Sequence, residues 1–165
     1  MSNLFVKTGH AEYTILESGP YYVGDPCYCF SHDTKTWLEF CESMDNSCQG
    51  IFTNKNHSKS ILALSTAYGD GLYNGFIDDG YHNFPVDAGI LGLVKVSDIE
   101  QGCSYLRSND LGCIITLNKG SVVTRSNDGT FKINDENNRT VVFIATGEEI
   151  EEDANHYDDY LEDDC

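Results

Sequence analysis

Val122-Val123-Thr124-Arg125-Ser126-Asn127-Asp128-Gly129-Thr130-Phe131-Lys132-Ile133 reads as a β-hairpin, because two short β-branched and aromatic runs flank a reversal whose Asp128-Gly129 pair favours positive φ. Beyond it, Asp135-Glu136-Asn137-Asn138 makes a loop that leads into a strand over 139–146. Just before it, Cys113-Ile114-Ile115-Thr116-Leu117 is another strand. Further upstream, Leu4-Phe5-Val6 and residues 12–16, 21–24, 50–53, 60–67 and 90–96 share this short apolar character, punctuated by Gly, Pro, Asn and Asp. Asn74-Gly75 and Asp79-Gly80 read as turns between aromatic runs. Ser97-Asp98-Ile99-Glu100 reads as a short turn or helix start that ends by Gly102.

One segment follows a different period. Trp37, Phe40, Cys41 and Met44 recur at i, i+3, i+4 and i+7, with Asp33 or Thr34 available as N-cap, which predicts a helix over about 34–44 that covers one face of a sheet. About nine short strands, one main helix and no alternating βα units predict an α+β, mainly β chain, an antiparallel sandwich or partly open barrel. The expected organisation is a single β-rich domain over 1–147 followed by an acidic C-terminal tail over 148–165.

The charge is lopsided. Of a formal −17, the tail carries −10 with no Lys or Arg, leaving −7 on the other 147 residues. An acidic body and an acidic tail disfavour direct binding to nucleic-acid phosphate and favour a basic protein surface or a cation. The first residues, MSNLFVKTGHAEY, lack an apolar signal core, and no apolar run reaches the ~18 residues that span a bilayer, so the expected setting is cytoplasmic, with no membrane association. Seven cysteines are then expected as reduced and mostly buried thiols. Cys27-Tyr28-Cys29 has one intervening residue and no second CxxC follows, which does not suit a zinc ribbon.

The candidate site lies in STAYGDGLYNGFIDDGYHNFPVDAGILG, residues 65–92, together with Tyr22-Val23-Gly24-Asp25-Pro26-Cys27-Tyr28. Asp25, Asp70 and Asp87 each sit next to a glycine or one residue from it, at the end of a predicted strand. Converging at one rim, they would bind Mg²⁺ or Ca²⁺ or share a proton; held separately, each would accept bonds from its own turn amides. No cofactor is required by the sequence. An EF-hand reading of Asp70 to Tyr81 fails at Leu72, and at Tyr81 where the bidentate Glu belongs. Gly69, Asp70 and Gly71 form a turn whose amides suit an anion, with Thr66, Tyr68, Tyr73 and Tyr28 adding hydroxyls and ring faces for a nucleotide-like ligand. A cysteine nucleophile would need Cys27 or Cys29 beside His32 or His82, and there is no GxSxG elbow.

Gly24-Asp25-Pro26-Cys27-Tyr28, Thr66-Ala67-Tyr68-Gly69-Asp70-Gly71-Leu72-Tyr73 and Val86-Asp87-Ala88-Gly89-Ile90-Leu91-Gly92 together resemble a set of small uncharacterised proteins found mostly in bacteriophages and bacteria. The Val-Asp-Ala-Gly element also resembles a bacterial domain of unknown function. The resemblance covers about 20–92 in three blocks and implies a viral or bacterial intracellular setting, the host cytoplasm in the viral case. It implies no activity and no catalytic residue.

The expected function is therefore a noncatalytic binding or inhibitory protein. It engages a host protein with a basic surface, or sequesters a small anionic or nucleotide-like ligand, through Asp25, Tyr28, Thr66, Tyr68, Gly69, Asp70, Gly71, Tyr73 and Asp87 or through its acidic surface. The alternatives are a small metal-dependent hydrolase using the three aspartates and a structural or virion-associated module.

Overall fold

The computed structural model describes residues 3–31, 33–44, 49–54, 59–78 and 80–146. The acidic segment 148–165, His32, Cys48 and Asp79 lie outside them.

The hairpin forms as its sequence predicts. β10 (Val122–Arg125) pairs with β11 (Phe131–Asn134) from Arg125 opposite Phe131 to Val122 opposite Asn134. Gly129 sits at φ 90°, and the Asp128 carboxylate accepts from the Thr130 N–H at 3.1 Å. Around it a seven-stranded antiparallel sheet runs in the order β1 (Phe5–Gly9), β2 (Glu12–Ile15), β10, β11, β12 (Thr140–Ile144), β6 (Gly71–Ile77), β7 (Gly80–Val86). A five-stranded antiparallel sheet runs β4 (Gly50–Thr53), β5 (Ser60–Ser65), β8 (Ile90–Lys95), β3 (Gly19–Gly24), β9 (Cys113–Leu117). The architecture is mainly β, and neither sheet closes into a barrel.

The two sheets bury one core between them. Tyr21, Val23, Leu62, Leu64, Leu91 and Leu93 of the smaller sheet belong to the same cluster as Ile15, Phe84, Val123, Ile133, Val142 and Ile144 of the larger. Burial of each large aliphatic side chain contributes roughly 1.5–3 kcal/mol. The smaller sheet is covered on its other face too, where Tyr22, Ile61, Ala63 and Val94 pack with Phe40 of α1 (Thr36–Ser43) and Leu106 of α2 (Cys103–Ser108). Burial on both faces explains why β5 and β8 read as continuous apolar runs. β6 instead alternates, because one face of the larger sheet meets solvent.

Three local readings change. Asn74-Gly75 is not a turn: it lies inside β6, where a Cβ on Gly75 would come within 2.5 Å of the Phe84 ring and 2.7 Å of Ile144. The glycine is required by close packing rather than by chain reversal, and the chain reverses instead between the paired residues Ile77 and Gly80. The helix starts at Thr36 after Lys35, without a side-chain cap, because the Thr34 hydroxyl donates to Glu100 Oε1 at 2.6 Å and to the Ser31 carbonyl. On α1, Phe40 is fully buried and Trp37 and Met44 pack around it, but Cys41 is exposed. Residues 96–98 form a 3₁₀ turn, and α2 is an addition that one buried leucine in a six-residue segment did not signal.

Candidate functional site

The strand pairings carry the three glycine-aspartate segments to one end of the sandwich. Gly24 pairs with Gly92, Ser65 with Ile90 and Gly71 with Val86, so the segments 25–29, 66–70 and 87–89 emerge side by side.

Asp25 is the brace. It is completely buried, caps the 3₁₀ turn Pro26–Cys29 by accepting from the Cys27 N–H at 2.9 Å, and accepts from the backbone N–H groups of Asp87 and Ala88 at 2.7 Å each. Burial pushes its carboxyl up from the ordinary carboxylate range, and the amide bonds from Ala88, Cys27 and Asp87 oppose that rise. The Tyr22 hydroxyl donates to the carbonyls of Asp25 and Leu111, fixing the end of β3 from below.

Tyr28 stands on the 3₁₀ turn and donates its hydroxyl to Asp87 Oδ2 at 2.7 Å. Burial, then the bond to Asp87, raises the phenol far above its usual value, so Tyr28 acts as a neutral donor. Cys27 is raised in the same way, by burial first and then by the charge of Asp25 and a hydrogen bond to it. The thiol is therefore held protonated, and Cys29 beside it is buried and raised well above its ordinary value. Neither suits a thiolate nucleophile. His82 lines a separate cleft of about 450 Å³ beside Ile77, Arg107 and Cys113.

The middle segment folds on itself. Thr66 and Tyr73 both donate their hydroxyls to the Gly69 carbonyl, at 2.7 and 2.6 Å, while Gly69 takes φ 76°. The Thr66 N–H donates to the Gly89 carbonyl at 3.1 Å, tying this loop to the next. Arg125 Nε donates to the Ser65 carbonyl, and the Ala67 N–H donates to the Thr146 hydroxyl, which anchors the loop to the larger sheet. The Thr66 and Tyr73 hydroxyls thus serve the loop, whereas Tyr68 and Asp70 are exposed at its surface. A methyl group on Gly89 would lie 3.8 Å from Asp70 Oδ1, which places Asp70 beside the same turn that Asp25 holds.

The three aspartates therefore gather around residues 87–89 in different roles. Asp25 faces inward onto amides, while Asp70 and Asp87 face solvent. Among the described residues no group of three His, Cys, Asp or Glu is placed to hold a metal ion.

The sequence pattern missed the groove that this arrangement borders. A depression of about 540 Å³ lies between the 3₁₀ turn, α1 and the 87–88 turn, walled by Tyr28, Phe30, Trp37, Leu38 and Ala88, with Asp87 and Lys35 as its charged groups. Phe30 and Trp37 stack with centroids 6.2 Å apart and planes 11° apart. Leu38, 56% exposed, was the available signal: an apolar residue pointing away from the helix face that packs on the sheet. Among the described residues no helix is long and apolar enough to cross a membrane.

Comparison with known proteins finds no matching family model, no matching curated protein and no matching solved structure.

Proposed function

We propose that this chain is a noncatalytic binding protein that sequesters a small, planar, nucleotide-like ligand in the groove between α1 and the 87–88 turn, in the phage or bacterial cytoplasm that the sequence resemblance implies. The observation that carries the reading is the Tyr28–Asp87 hydrogen bond at the edge of an aromatic-walled groove of about 540 Å³, within the usual size range of ligand sites. Tyr28 orients the Asp87 carboxylate through Oδ2, leaving Oδ1 open to N–H donors on the edge of a base. Trp37, backed by the buried Phe30, and Tyr28 offer ring faces for stacking, and Lys35 supplies the cation that a phosphate needs beside an otherwise acidic protein. Of the groups nearest Asp87, Cys27 is held as a thiol and the Asp25 carboxylate is occupied by amides.

The test is isothermal calorimetry of the full chain against nucleosides and nucleoside monophosphates. Saturable binding that Asp87→Asn removes supports the reading, and absence of binding across the panel overturns it.

A second reading rests on the charge of −17, which favours a host protein with a basic surface. It predicts a complex that dissociates as salt rises, and a salt-insensitive complex would contradict it.

A further inference from the structure

Asp87 is held in place at both its main chain and its side chain. Its backbone N–H donates to Asp25 Oδ2 at 2.7 Å, and its own Oδ2 accepts from the Tyr28 hydroxyl at 2.7 Å. Tyr28 takes one of the roughly four lone-pair sites of the carboxylate, so both oxygens can still accept. Asp87 is exposed on the wall of the groove that Tyr28, Trp37 and Ala88 share. The Ala88 and Cys27 amides beside it are spent on Asp25, which leaves this edge of the groove a fixed pair of acceptors.

We propose that the base taken by this groove is guanine and that Asp87 is the residue that selects it, an inference that rests on the reading of the groove as a nucleotide site. A carboxylate sets two acceptors side by side and offers no donor. Among the common bases, guanine alone carries two adjacent donors on its pairing edge, N1–H and the 2-amino group, which meet a carboxylate as a two-pronged fork. Adenine places its N1 acceptor, and cytosine its N3 acceptor, next to the amino group, and uracil sets its one N–H between two carbonyls. Each of these turns a lone pair towards Asp87, so repulsion excludes them while the paired bonds hold guanine. An arginine side chain carries a similar fork, but Lys35 on the same groove repels a guanidinium and attracts a phosphate. The groove, at about 540 Å³, also far exceeds what one such side chain fills.

The test is calorimetric titration of the full chain, at one salt concentration, with GMP, IMP, AMP, CMP and UMP, and with N-acetyl-arginine amide as a guanidinium probe. GMP should bind about tenfold or more tighter than AMP, CMP or UMP. IMP keeps N1–H without the 2-amino donor and should fall between them. Asp87→Asn, at an exposed position that keeps the amide bond to Asp25, should lose the preference together with the binding while the thermal melt stays in place. Equal affinities for GMP and AMP, or a preference for GMP that survives Asp87→Asn, overturn the guanine assignment and leave the nucleotide groove standing. Binding of none of the five nucleotides overturns both. Tighter binding of the arginine probe than of GMP overturns guanine in favour of a basic protein partner.

Discussion

The Asp25 carboxylate accepts a hydrogen bond from the backbone N–H of Asp87 at 2.7 Å across a sequence separation of 62 residues, joining the end of β3 to the turn that follows β7. With the bonds from Ala88 and Cys27, one buried side chain fixes two of the three segments at the rim. Asp25→Ala strands three amide donors and should lower stability by about 3 kcal/mol, read by urea unfolding, whereas Asp70→Ala, at an exposed position, should change it by less than about 0.5 kcal/mol.

Tyr28→Phe separates orientation from stability. Removing the hydroxyl takes away the donor to Asp87 while keeping the ring, so unfolding should shift by no more than about 1 kcal/mol while ligand affinity falls several-fold. Equal losses in both measurements would make Tyr28 a structural residue only.

The glycines were informative in two ways that sequence does not distinguish. Asp128-Gly129 marks a reversal, and the hairpin was legible from it. Gly75 follows Asn74 with the same signature, yet serves close packing against Phe84 and Ile144 inside a strand. Gly75→Ala should therefore cost about 2–3 kcal/mol through overpacking, while Gly102→Ala, with no neighbour within 4 Å, should be nearly neutral in the same thermal melt.

The same limit governed the rim. That Asp25 and Asp87 follow the ends of strands could be read from Gly and Asp beside apolar runs, whereas Asp70 precedes β6 rather than ending a strand. Which of them would be buried depends on long-range pairing, as does the use of Thr34, whose hydroxyl reaches Glu100 rather than capping α1. The groove escaped notice because Trp37 fits the helix's packed face and Leu38 breaks the pattern by a single residue.

Acid stability should turn on Glu100. Burial alone would raise its carboxyl, but the Thr34 and Thr36 hydroxyls, the Ser31 amide and Lys59 outweigh that and hold it near about 2. A depressed carboxyl stabilises the fold above its unfolded value of 4.5, and that contribution is lost as pH falls from there towards about 2. After discount for solvent on its open side, the loss is on the order of 1–2 kcal/mol, and Glu100→Gln should flatten this part of the stability–pH curve. Asp25 works with the opposite sign: its raised carboxyl favours the fold as pH falls.

Thiol reactivity gives an independent check on the electrostatics. At neutral pH iodoacetamide should label exposed Cys41 and spare Cys27 and Cys29 until the chain is unfolded, as read by peptide mass spectrometry. Rapid labelling of Cys27 in the native protein would contradict the protonated thiol beside Asp25.

Trp37 is the sole tryptophan of the chain and lines the groove, so its emission reports occupancy directly. The decisive measurement is titration of the full chain with nucleoside monophosphates while Trp37 fluorescence is followed. The account predicts a saturable change with at least one of them, lost in Asp87→Asn with the fold intact. Emission that no nucleotide alters, or a response that survives Asp87→Asn unchanged, would contradict it.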